Sequence, residues 1–140
     1  MITAPFQYED LMLLRLQPAQ VYLSDWVSEA EGRALEEHPS YTGWVDGVPI
    51  VSAGIVPQWQ GRAIAWAYLS QAGAQYMPSV HRAVKRFLDG CYVQRIETSV
   101  NCEFEQGHRW ARMLGFEMEA ECMRAYGADG RDAALYARVR

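Results

Sequence analysis

"RAIAWAYLSQAGAQYMPSVHRAVKRFLDGCYVQRIETSVN", residues 62–101, decides the fold. It opens with a strand pattern: Ile64, Trp66 and Tyr68 fall on one face, Ala63, Ala65 and Ala67 on the other. The alanine face lets a helix or a ligand come very close. "PSVHRAVKRFLDG" then reads as a helix. Val80, Ala83, Val84, Phe87 and Leu88 recur at helical spacing, Pro78 suits the first turn and Gly90 the C-terminal cap. "YVQRIETSVN" alternates again as a strand. Strand, helix and strand with short joints make a βαβ unit, whose strands should be parallel with a right-handed crossover.

Outward from that unit the pattern stays mixed. "EFEQGHRWARMLG" is a second helix, ended by Gly115. "FEMEAECMRAY" alternates, which predicts Phe116, Met118, Ala120 and Cys122 inward and Glu117, Glu119 and Glu121 toward water. "GADG" turns the chain into a last strand, "RDAALYARV". Upstream, Asp46-Gly47 sits between two β-rich runs of "YTGWVDGVPIVSAGIV", a hairpin signal. Pro49 there needs a place where the ladder does not use its missing N–H. "PQWQG" reads as a loop. The first forty residues read as helical: "YEDLMLLRL", then "SDWVSEAEGRALEEHP" with Ser24 and Asp25 as candidate caps and a stop before Pro39. The expected fold is α/β (α+β), a mixed, centrally parallel sheet with helices on both faces, in a single domain over residues 1–140.

Composition narrows the function classes. Half of the residues are hydrophobic (50%) and 21% are charged, the balance of a globular chain. A net charge of −4 gives no general attraction to nucleic acid or anionic membrane, and no apolar run approaches a membrane span. The start, "MITAPFQYED", has neither a basic leader nor an apolar signal core, so a soluble, cytoplasmic protein is expected. Cys91, Cys102 and Cys122 form no framework, and with the scattered His38, His81 and His108 give no metal-ligand spacing; free thiols and no metal are expected. Trp26, Trp44, Trp59 and Trp66 are expected to fill space between helices and sheet.

The joint "SQAGAQYMPS" carries the chemistry question. A helix start after a strand presents free backbone N–H groups and partial positive charge to an anion. Met77, before Pro78, has no side chain able to cap those amides, whereas Ser79 can cap locally. Phosphate cradle and ordinary helix start are both open on these residues alone.

The ordered set does more. "RMLGFEME", with "TGWVDGVPIVSAGIVP", "GHRWARMLGFE" and "YGADGRDAALYARV", resembles the GNAT superfamily of acyl-CoA-dependent N-acyltransferases, in particular small phage-encoded GNAT-like proteins, some of them internal virion proteins. The resemblance covers residues 40–140 well and the first forty loosely. It implies acetyl-CoA as co-substrate, with the backbone of Ala67, Tyr68 and Leu69 bonding the pantetheine arm. Ser70, Gln71, Ala72, Gly73 and Ala74, with Met77, Pro78 and Ser79, would receive the pyrophosphate. Asn101 would touch the pantetheine amides, and Arg82 and Lys85 the charged end.

Two departures stand out. The family's Gln/Arg-x-x-Gly-x-Gly/Ala loop is reduced here to Gly73, with Tyr76 and Met77 where small residues would help. The family's thiolate-protonating Tyr falls on Trp110, which has no useful acid. His108 and Tyr126 are then the remaining candidate catalytic groups; a surface histidine and a half-buried hairpin aromatic are their structural readings. "HRAVKR" and the acidic triplet of the late strand read as solvated faces. The expected function is an acetyl-CoA-dependent N-acyltransferase of an amine acceptor, small molecule or protein, phage or prophage encoded, with no nucleic-acid or membrane partner. The alternative is a GNAT-fold phage structural or internal virion protein without catalysis, and a third reading is a cofactor-binding regulatory module. A homodimer or virion proteins are the expected partners.

Overall fold

The computed structural model describes residues 1–25 and 27–140, in which the chain runs β1 (Ile2–Pro5), α1 (Tyr8–Leu13), a 3₁₀ segment (Pro18–Asp25) and α2 (Glu29–Glu36). Strands β2 (Ser40–Val45), β3 (Val48–Trp59) and β4 (Arg62–Leu69) follow, then a second 3₁₀ segment (Gln71–Tyr76), α3 (Met77–Asp89) and β5 (Arg95–Asn101). Helix α4 (Glu105–Met113), β6 (Glu117–Met123) and β7 (Ala133–Val139) complete it. The strands hydrogen-bond in the order β1-β2-β3-β4-β5-β7-β6. The β4–β5 pair is parallel, as the βαβ reading requires, and β1–β2, β2–β3, β5–β7 and β6–β7 are antiparallel. The mixed α/β architecture is therefore the expected one.

The chain divides into two compact units: Met1–Val56 with Ala65–Gly90, and Pro57–Ile64 with Cys91–Arg140. In the first, Phe6, Leu14, Ile50, Val51, Ile55, Leu69, Val80, Val84 and Leu88 are buried, the last three forming the inner stripe of α3. Phe6 meets the edge of Trp66 at 5.1 Å, and Trp66 leans on Tyr68 at 5.5 Å. In the second, Ala63, Ile96, Ala111, Leu114, Phe116, Ala134 and Tyr136 are buried. The predicted Asp46-Gly47 hairpin is present, with both residues at positive φ. Pro49 pairs with Trp44 beside a register shift between Gly43 and Trp44, so its missing N–H falls at an irregularity of the ladder.

Several expectations fail for identifiable reasons. "ITAP" is a strand, although it is short, fully exposed and ends in Pro; it forms only because β2 offers an edge, pairing Ile2 with Trp44 through Pro5 with Tyr41. "PQWQG" is not all loop, since β3 continues to Trp59 and turns at Gly61, whose φ of 95° excludes most side chains. Trp59 is exposed rather than core, covered on one side by the Arg62 guanidinium 4.6 Å from its ring. The second helix is shorter than read: its cap is Ser28, which accepts from Glu31 N–H. The side chains of the expected caps Ser24 and Asp25, and Trp26 altogether, lie outside the described residues. On β6 the inward set does not form. Met118 and Cys122 are exposed and only Phe116, before the strand, is buried, because β6 is an edge paired to β7 alone through two register shifts.

Candidate functional site

The β4–β5 ladder comprises Arg62–Arg95, Ala63–Ile96 and Ile64–Glu97, all within the second unit. The rest of β4, from Ala65 to Leu69, belongs to the first unit, and its polar backbone is met there by the chain's own N-terminal region. Helix α1 ends in extended backbone at Leu14, and Leu16 then bridges Ser70 in antiparallel fashion. Gln17 N–H donates to Leu69 O at 2.9 Å and Gln71 N–H to Arg15 O at 2.7 Å, the two bonds that flank that bridge. Gln20 completes the arrangement. Its Nε2 donates to Ala67 O at 2.7 Å, and its Oε1 accepts from Leu69 N–H at 2.9 Å. Ala67 and Leu69 are two residues apart, so these groups point from one edge of the strand, whereas Ser70 N–H points the other way to Ile50 O at 3.0 Å. The backbone that the resemblance assigns to pantetheine thus does meet an amide, and the amide is internal.

The joint to α3 is folded inward. Gln71–Tyr76 is a 3₁₀ segment rather than an open loop, and α3 begins at Met77, with Pro78 in its first turn as expected. The amides of Ser70 and Gln71 are used as described, and Gly73 N–H donates to Ser70 O at 2.9 Å. Gly73 is buried, and a Cβ on it would face Ile50 O at 3.4 Å and Leu69 at 3.6 Å. Its bare face therefore looks into the protein. Ser70 Oγ is buried without a partner among the described residues. Ala72 is exposed, and Ser79 accepts a 3.3 Å bond from Arg82. Lys85 pairs with Asp89 at 3.0 Å. Burial pushes the Tyr68 phenol up to about 12, which makes it a poor proton donor at neutral pH.

The other candidates lie in the second unit. Asn101 ends β5 and uses its Oδ1 to accept from Glu103 N–H at 2.9 Å, an Asx turn leading into α4. His108 is buried with both ring nitrogens engaged: Nδ1 with Tyr136 Oη at 2.6 Å and Nε2 with Cys102 O at 3.1 Å. A carbonyl only accepts, so Nε2 carries a proton, and in the neutral ring Nδ1 accepts from the tyrosine hydroxyl. Both ring nitrogens are thus engaged within the protein, and the two contacts tie α4 to β7 and to the end of β5. Tyr126 is exposed in the β6–β7 turn. Cys122, expected inward, is exposed. Its thiol is nonetheless pushed up to about 11, first by hydrogen bonding with Cys102 and then with Asp132, so it stays protonated. Among the described residues no group of three His, Cys, Asp or Glu side chains is placed to hold a metal ion. No helix among them is long and apolar enough to cross a membrane.

Sequence reasoning missed Gln17 and Gln20. Neither follows a strand or helix period; the available signal was Pro18, which breaks the helical run, and "QPAQ", a turn closed by Gln20 N–H on Gln17 O at 2.9 Å.

The strand order and the parallel pair with its α3 crossover are the fold of the GNAT acetyltransferases. The chain superposes on Ard1 of Thermoplasma volcanium with a TM-score of 0.80, 16% identity and 99% and 96% of the two chains covered. The GNAT-family acetyltransferase of Bacillus anthracis gives 0.68 and 11% identity over 98% and 93%. YncA of Salmonella typhimurium, solved with its cofactor acetyl-CoA, gives 0.69 and 15% identity over 99% and 93%. No family model matches the sequence, and no curated protein matches it.

Proposed function

We propose that this chain is an acetyl-CoA-dependent N-acyltransferase, phage or prophage encoded and acting in the host cytoplasm on an amine of a small molecule or protein. One observation carries the reading. Past its short parallel ladder, β4 presents Ala67 O and Leu69 N–H along one edge, and these bind an amide group rather than a neighbouring strand. A pantetheine arm offers the same donor and acceptor. The fold supports it, since a structural neighbour holds acetyl-CoA.

When bound, acetyl-CoA supplies an acetyl group activated as a thioester. The neutral amine attacks the carbonyl, an N–C bond forms, the C–S bond breaks, and the thiolate leaves. With Trp110 at the usual tyrosine position and His108 locked, water takes the amine's proton and the thiolate departs without a protein acid. The β4 edge would orient the arm, while Arg82 and Lys85 would face the charged end. The joint fits a pyrophosphate poorly, because the amides of Ser70, Gln71 and Gly73 are already used.

That same poor fit favours a second reading, a phage structural or internal virion protein that keeps the fold without turnover. Melting the protein with millimolar acetyl-CoA and following thioester loss across an amine panel separates the two. A binder gains RT ln(1 + [L]/Kd), about 2.7 kcal/mol at a hundredfold excess over Kd, and warms its midpoint by several degrees. A shift with thioester loss is the expected result. A shift alone favours a regulatory module, and no shift favours the virion protein.

A further inference from the structure

The strap formed by Gln17-Pro18-Ala19-Gln20 is built to hold the β4 edge in one arrangement. Pro18 presets the turn, Gln20 N–H closes it on Gln17 O, and Gln17 N–H fastens it to Leu69 O. The Gln17 side chain then donates its Nε2 to Gln20 Oε1 at 3.1 Å. That bond and the one from Leu69 N–H both require an acceptor at Oε1, which fixes the orientation of the Gln20 carboxamide. The remaining end, Nε2, lies on Ala67 O at 2.7 Å. One planar amide therefore reads one donor and one acceptor on alternate residues of the strand.

We propose that the Gln20 carboxamide is a built-in competitor for the pantetheine-binding edge of β4, an autoinhibitory contact that must swing away before the arm of an acyl-CoA can lie there. The inference rests on the acyl-CoA reading above. The Gln20 side chain and a secondary amide of the arm need the same two backbone groups, Ala67 O and Leu69 N–H, and these cannot serve both. Tethered three residues from its own anchor at Gln17, the carboxamide competes at a high effective concentration. The Gln17 N–H uses the carbonyl of Leu69 and the Leu16–Ser70 bridge lies one residue beyond, so neither takes Ala67 O or Leu69 N–H, and the gate is the side chain and not the whole strap.

The test compares wild type with Gln20→Ala by titration calorimetry against three probes: coenzyme A, pantetheine and adenosine 3′,5′-bisphosphate. The variant should bind coenzyme A and pantetheine about tenfold more tightly, two weak net hydrogen bonds no longer having to be broken. Its affinity for the bisphosphate, which has no arm, should not change. Coenzyme A binding equally to both proteins overturns the competitor and leaves the acyl-CoA reading standing. No coenzyme A binding to either overturns both. Should Gln20→Ala fail to fold, the wild-type Gln20 side-chain amide resonances decide. They should move toward solvent values as coenzyme A saturates, and resonances that stay put overturn the proposal.

Discussion

Gly115 shows what a single residue can disclose. Its N–H donates to Arg112 O and that of Phe116 to Ala111 O, both at 3.0 Å, with Gly115 at φ +92°. These are the two bonds of a Schellman cap, and Phe116 supplies its buried apolar follower. Leu-Gly-Phe is thus legible because it has a mechanism: a left-handed residue between two that must be buried. Gly115→Ala should cost about 1–2 kcal/mol from the backbone penalty of its positive φ, the added Cβ meeting only the Arg138 side chain at an ordinary 3.4 Å. For a chain of this size that lowers the melting midpoint by roughly 3–8 °C. An unchanged midpoint in calorimetry would mean the helix end relaxes into another cap. His108 was not legible in this way. Its partners, Cys102 and Tyr136, are brought to it by the antiparallel β5–β7 pairing, which no local spacing encodes.

At the scale of elements, strong periodicity places the elements, whereas what a neighbour decides, the existence of β1 and the burial of β6, does not follow from the pattern. Helix α3 and strands β4 and β5 carry their own pattern. Strand β1 exists because β2 leaves an edge open, and β6 is exposed on most of its residues because nothing beyond it covers that edge. In the joint after β4, Gly73 is what remains of the phosphate loop that the resemblance implies. The 3₁₀ segment places that glycine against Ile50 O and Leu69 instead. The contacts a methyl would make, 3.4–3.7 Å, are ordinary packing distances, and the backbone there needs no positive φ. Gly73→Ala should therefore move the melting midpoint by less than about 2 °C. Under the acyl-CoA reading it should also leave coenzyme A affinity unchanged, because the added carbon points inward. A tenfold loss of affinity with an intact fold would show that ligand closes on this glycine after all. Gly54→Ala is the contrasting control, its Cβ falling 2.6 Å from the backbone oxygen of Pro39.

For the whole molecule, the charge arrangement sets how the fold meets acid. Arg62 and Arg95 are partners on the parallel ladder, a like-charged pair that would repel. Glu97 resolves it: its carboxylate accepts from Arg62 Nη2 and, at 2.7 Å, from Arg95 Nε, while Arg95 also takes Glu119 at 2.6 Å. The Arg62 hydrogen bond, reinforced by Arg95, holds Glu97 below the ordinary carboxylate range against the opposing effect of burial. Arg95 does the same for Glu119, and Arg33 for Glu9 in the other unit. Each folded-state pKa lies below its unfolded value of about 4.3, so the unfolded chain binds more protons as acid is added. The stability from these pairs is fully present above that value and is lost as pH falls through the folded pKa values. The contribution of these three pairs should thus be constant above about pH 5.5 and drop below about pH 4.5. Glu97→Gln leaves the two arginines facing each other across the ladder. It should lower the neutral plateau by about 1–2 kcal/mol and make the acid limb shallower, because one titrating group has gone. Urea melts of both proteins at half-unit pH steps measure this. Curves that coincide down to pH 3 would mean the Glu97 carboxylate contributes nothing the amide cannot.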